Sequence, residues 1–205
     1  VTVAVEIFYD LSSPWTRIAF ANLRRQADGL DVTLRWRPFL VGGVFNAVNQ
    51  AVYAARANAE DPKLRLSFHW LKEWAELAGV AMNFPSVHHP AKSVQAMRVC
   101  CALADDQAQL VRFTEAAFEA YFTDQRNIDD PAVLAAIADE CGFDGAELLA
   151  RAGSQPVKDM LRANTDEAIA RGAFGSPTVF VGERFMYFGN DQLPLVLQRI
   201  AQLGS

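Results

Sequence analysis

Three cysteines in 205 residues are too few for a disulfide framework, and Cys100, Cys101 and Cys141 form no Cys-x-x-Cys pair. That pattern excludes a redox dithiol motif and points to buried free thiols in a reducing compartment, the cytoplasm. The three histidines, His69, His88 and His89, show no metal-ligand spacing with a cysteine or acid, so no metal is expected. Nineteen basic side chains face 24 acidic ones, for a net charge of −5, and no basic block interleaves with aromatics. Nucleic acid is therefore not an expected partner. No apolar run approaches the ~18 residues that span a bilayer. The first residues lack a basic start followed by a small-residue cleavage site and do not themselves read as a signal peptide, and no membrane partner is expected. What is present, 51% hydrophobic and 21% charged residues, is the make-up of a globular protein with a full core. The length suits one large domain or one domain interrupted by another.

Val3, Val5, Ile7 and Tyr9 alternate with Ala4, Glu6 and Phe8, a largely apolar run that predicts a buried strand. Asp10-Leu11-Ser12-Ser13-Pro14 stops it, and a helical pattern runs from Pro14 to about Ala27 before Asp28-Gly29. Val32 to Arg37, closed by Pro38, reads as a second strand. The sheet signal then disappears. Asp61-Pro62 and Asp130-Pro131 each place proline at a first helical position, and roughly five helices are predicted in this block. A helix from about Pro156 to Arg171, strands Thr178 to Val181 and Phe185 to Phe188 around a Gly182-Glu183 turn, and a last helix to about Gln202 complete the chain. The order βαβ, helical block, αββα predicts an α/β, thioredoxin-like fold with an all-helical insertion. Residues 1–45 and 156–205 form the thioredoxin-like domain and 46–155 the inserted one.

Three stretches carry chemistry. Ser13 and Pro14 stand at the N-cap and first position of a helix, a common way to start any helix, but also a place where amides and the helix dipole stabilise an anion such as a thiolate. A free thiol of pKa ~8.5 is mostly protonated at neutral pH, so a hydroxyl donor there would raise its reactive fraction. No cysteine of this chain lies at that turn, so the thiol has to arrive with a cofactor. In Phe174-Gly175-Ser176-Pro177-Thr178, a proline opening an internal strand predicts a cis bond that exposes the preceding backbone. Asn190 and Asp191 open the last helix, as caps or as partners for the charged groups of an amino acid.

These stretches, with Arg37-Pro38-Phe39-Leu40-Val41-Gly42-Gly43-Val44-Phe45, occur in an order that resembles the 2-hydroxychromene-2-carboxylate isomerases and the related kappa-class glutathione transferases. The resemblance covers nearly the whole chain. It implies a DsbA-type thioredoxin fold, glutathione as cofactor, a homodimer, and a role in aromatic compound degradation. It also implies that Ser13 contacts the glutathione sulfur, that the backbone at Ser176 and Pro177 pairs with its cysteinyl part, and that Asn190 and Asp191 bind its γ-glutamyl end. Two positions depart from the family: Asn46 replaces a lysine, and the family asparagine appears as Gln50, or as Asn49 if the loop shifts by one. Trp15 and Phe45 are the apolar candidates for lining an aromatic site. Ser13-Pro14-Trp15-Thr16 further resembles Cys-Pro-Trp-Cys of redox-active relatives with both cysteines replaced. The function implied is a glutathione-dependent cis–trans isomerase acting on a small aromatic or conjugated carbonyl substrate. The alternatives are a kappa-class-like transferase and a redox-inactive binding protein. A serine hydrolase is not indicated, since Ser13 has no G-x-S-x-G elbow.

Overall fold

The computed structural model describes residues 2–53, 58 and 60–204. Strand β1 (Val3–Tyr9) is fully buried on the face of Val3, Val5, Ile7 and Tyr9, while on the other face Ala4 is exposed, Glu6 half-buried and Phe8 buried. It lies inside a four-stranded sheet of order β2-β1-β3-β4. β2 (Val32–Pro38) runs parallel to it, with Val3 opposite Val32 and Tyr9 opposite Pro38. β3 (Thr178–Val181) is antiparallel to β1, with Ile7 opposite Val179, and β4 (Phe185–Phe188) closes the sheet antiparallel to β3. Among the described residues the bounded α-helices are α1 (Pro14–Gln26), α2 (Val41–Val48), α3 (Pro62–Ala78), α4 (Val94–Ala102), α5 (Gln107–Phe122), α6 (Pro131–Glu140), α7 (Gly145–Ala152), α8 (Gln155–Ala170) and α9 (Leu193–Gly204). Asp61, Asp106, Asp130 and Asp144 cap α3, α5, α6 and α7 through their side chains; of these, the Asp61-Pro62 and Asp130-Pro131 pairs were start signals in the sequence.

Val3, Val5, Ile7 and Tyr9 point into the main core, which also takes Phe20 and Leu23 of α1, Phe113 and Phe118 of α5, and Val196 and Ile200 of α9. Phe8 points the other way, into a second core with Phe39, Val44, Phe45, Ala168 and Phe180. Phe39 and Phe180 meet the Phe8 ring edge-on at 6.0 and 5.8 Å. Each such buried side chain contributes ~1.5–3 kcal/mol of transfer free energy. Beside this second core, Arg37 and Arg171 both bond Glu6 at 2.7 Å and both also reach Glu167, tying β1, β2 and α8 together.

Helix α2 has no local signal: Gly42 and Gly43 disfavour a helix, and Leu40 offers no side-chain cap. Its start is capped from a distance. The Val41 N–H donates to Asp10 Oδ2 at 2.9 Å and the Leu40 N–H to Thr165 Oγ1 at 3.0 Å. A Cβ on Gly43 would come within 3.1 Å of Thr165 Cγ2, so glycine lets α2 lie close against α8. At the outer edge of β2, Gln107 stands in for a neighbouring strand. Its Oε1 accepts the Trp36 N–H at 2.7 Å, and its Nε2 donates to the Trp36 carbonyl at 3.4 Å. Among the described residues no helix is long and apolar enough to cross a membrane.

Candidate functional site

The C-terminal end of β1 delivers the chain to a polar cluster at the start of α1. Ser13 has extended backbone (φ −89°, ψ 116°), and its Oγ accepts the Thr16 N–H at 3.2 Å, the N-cap bond that Ser-Pro predicts. The same hydroxyl donates to the Ser176 carbonyl at 3.1 Å. The Ser176–Pro177 peptide is cis, as expected of a proline that opens a central strand. Ser176 Oγ accepts the Asp10 N–H at 3.0 Å and lies 2.8 Å from Thr16 Oγ1. Ser13, Ser176 and Pro177, separated by most of the chain, therefore meet at one point.

Asp10, Thr16 and Asn22 belong to this region and were not singled out from sequence. Asp10 is fully buried. Burial pushes its carboxyl up from the ordinary range, opposed by bonds from the Ser12 and Val41 N–H groups and the Ser12 and Ser93 hydroxyls. One carboxylate thus fixes the turn before α1, the start of α2 and the segment before α4. An acid ending an apolar strand, just before a Ser-Ser-Pro turn, was the available signal.

Asn190 is 2% exposed in a 3₁₀ turn, Asn190–Gln192, just before α9. Arg25, which can only donate, bonds Asn22 Oδ1 at 2.7 Å. That fixes the Asn22 amide, whose Nδ2 then donates to Asn190 Oδ1 at 2.9 Å. The Asn190 Nδ2 is left buried without a partner, a donor in need of an acceptor. Asp191 beside it is exposed and accepts from Gln192 Nε2 at 2.9 Å. Both residues line a cleft of about 430 Å³ whose other walls include Trp15, Trp74 and Phe188.

The remaining expected residues lie elsewhere. Phe45 is 7% exposed in the second core, and it is not among the residues that line this cleft. Gln50 is exposed and turns its amide back to the Asn46 carbonyl at 2.9 Å. Its neighbour Asn49 donates to the Phe174 carbonyl at 3.0 Å, joining the end of α2 to the cis-proline turn. Cys100 and Cys101 are buried; burial pushes the Cys100 thiol up to about 12 and Cys101 higher still. Cys141, partly buried, is also raised. No thiolate of this chain's own is offered at the α1 turn. A second cleft, of about 380 Å³, is lined by Val32, Trp36 and Gln107. Val32 pairs with Val3, at the opposite end of β1 from Ser13.

A β1–α1–β2 unit, a β3–β4–α9 unit and a cis-proline turn facing the start of α1 define a thioredoxin-like protein. The family of the DSBA-like thioredoxin domain matches residues 4–201, and this chain belongs to it. The 2-hydroxychromene-2-carboxylate isomerase of Pseudomonas putida is 24% identical over 201 residues, covering 97% of this chain and 95% of the relative. Glutathione S-transferase kappa 1 of Rattus norvegicus is 26% identical over 201 residues, covering 94% and 88%. A solved 2-hydroxychromene-2-carboxylate isomerase superposes with a TM-score of 0.78 at 22% identity, over 98% of this chain and 95% of that one, a likeness of fold. The chain is thus related both to isomerases and to glutathione transferases.

Proposed function

We propose that this protein is a glutathione-dependent cis–trans isomerase acting on a small aromatic or conjugated carbonyl compound. In this reading 1–45 and 156–205 hold the cofactor and 46–155 is the insertion over them. The observation that carries the proposal is the Ser13 hydroxyl, held by the Thr16 amide and aimed at the Ser176 carbonyl, where no cysteine stands. The unpartnered Asn190 amide gives the fit at the far end, since the amino-acid terminus of a γ-glutamyl peptide brings an acceptor oxygen for it and an ammonium for Asp191. Ser13, Ser176, Pro177, Asn190 and Asp191 would hold glutathione, whose thiolate would supply a nucleophile able to add reversibly to a conjugated double bond.

The chain's own part is to hold that thiol ionised. Ser13 keeps its oxygen on the Thr16 N–H and turns its proton from the Ser176 carbonyl toward the incoming sulfur. Release of the Ser176 carbonyl, exposed by the Pro177 turn, would free it to accept from the cysteinyl backbone N–H of glutathione. The α1 N-terminus adds its amide field at the same point. Asp10 holds the turn in place from beneath.

Conjugation is the second reading, favoured by the rat relative. One experiment separates them. The protein is mixed with glutathione and a cis-configured conjugated enone, and both the geometry of the product and the remaining free thiol are followed. Isomerisation with the thiol undiminished is expected. Thiol consumed in step with the enone establishes the transferase, and no binding of glutathione by calorimetry removes both readings.

A further inference from the structure

The cleft beside Asn190 has aromatic walls and one charge. Trp70 and Trp74, one turn apart on α3, line it together with Trp15 of α1 and Phe188 at the end of β4. Trp70 is 50% and Phe188 38% exposed, so these rings are left half in water and only partly used by the core. Among the described residues that line the cleft, Asp191 alone is charged, and no lysine, arginine or histidine accompanies it. Ring faces carry negative potential, and a carboxylate beside them adds to it. The ring walls and the Asp191 carboxylate suit an ammonium group with an apolar skin, while the unpartnered Asn190 amide leaves a donor for an acceptor oxygen beside it.

We propose that this cleft is an ammonium-binding cage that takes primary to quaternary alkylammonium groups. The inference deepens the glutathione reading, because the amino group of a γ-glutamyl end becomes one occupant among several, and methylation of that nitrogen is tolerated. The cage itself rests only on the ring walls and Asp191.

The chain supplies its own reporter. Three of its four tryptophans line the cleft, and the fourth, Trp36, is buried in the main core. Intrinsic fluorescence is titrated with choline chloride against sodium chloride at matched ionic strength. A parallel titration uses dimethylbutanol, in which carbon replaces the charged nitrogen. Choline is expected to give a saturable change, with the neutral isostere bound about tenfold more weakly or worse. Asp191→Asn and Trp70→Leu each weaken choline by several-fold with an unchanged far-ultraviolet spectrum. Equal binding of choline and the isostere, which marks a merely apolar cleft, overturns the proposal, as does the absence of any saturable response. Calorimetry with glutathione on the same protein keeps the two readings apart. Choline binding without glutathione binding leaves the cage standing and removes the cofactor, and the reverse removes the cage alone.

Discussion

Ser13 makes two bonds that separate a structural role from a chemical one. Its oxygen caps α1 through the Thr16 N–H, and its proton goes to the Ser176 carbonyl. Ser13→Ala loses the cap, which costs ~1 kcal/mol of folding stability. It also removes the donor that would face a bound thiolate, so the pKa of glutathione in the complex should rise and turnover at neutral pH should fall by more than the stability loss explains. Thiolate absorbance of the complex, titrated against pH, is the measurement; a lower melting point with an unmoved thiol pKa reduces Ser13 to a helix cap. Ser13, Pro14 and Pro177 were legible because each leaves a local mark, a cap, a first-turn proline or a proline opening a strand. Asp10 leaves none of that kind. Its partners are the Ser12 and Val41 N–H groups and the Ser12 and Ser93 hydroxyls, and two of those groups belong to parts of the chain that only the fold brings near.

At the scale of elements, the cis-proline turn and β4 are fitted to each other through Gly175. A Cβ there would run into Phe188 Cε2, while Phe174 packs on the same ring at 4.5 Å between centroids. Gly175→Ala is therefore expected to cost ~1–3 kcal/mol as an overpacked contact and to push the Phe188 ring aside. Chemical denaturation gives the first number, and a blue or red shift of tryptophan emission in the native state reports the second, because Phe188 shares its cleft with Trp15, Trp70 and Trp74. An unchanged native spectrum with full stability would show that the turn, and not the ring, sets the position of Phe188. The elements themselves were readable wherever the pattern was local. Period-2 alternation marked β1, and aspartate-proline pairs marked the starts of α3 and α6. Helix α2 escaped because its caps come from Asp10 and Thr165, far away in sequence, and because two glycines argue against a helix that tertiary packing nevertheless imposes. Asn49 and Gln50 stayed alternatives because a one-residue shift of the loop exchanges them, and Asn49 is the one joined to the Phe174 carbonyl.

For the molecule as a whole, the Glu6–Arg37–Arg171–Glu167 group contributes to how the fold responds to acid. Burial pushes the carboxyls of Glu6 and Glu167 up, but the two guanidinium groups outweigh it and hold both below the ordinary carboxylate value. A group depressed on folding stabilises the native state above its unfolded pKa, and that contribution is lost as pH falls through the folded one. Native stability should therefore decline below pH ~4. Arg171→Met keeps apolar cover over Phe180, which the guanidinium overlies at 3.7 Å, and should cost ~1–3 kcal/mol at neutral pH. Melting curves of the two proteins should converge as the pH drops into the acid range; a constant gap would mean that Arg171 acts through packing alone.

The side chain of Gln107 bears on how copies of this protein behave when crowded together. A sheet edge with free N–H and C=O groups is a template on which another chain can lay down a strand. Here the edge of β2 is occupied at Trp36 by an amide that mimics the missing neighbour on both its donor and its acceptor side. The interruption falls within the strand, so an incoming segment has no uninterrupted row of groups to follow. A single glutamine from α5 thereby protects the protein against open-ended polymerisation through its longest exposed edge.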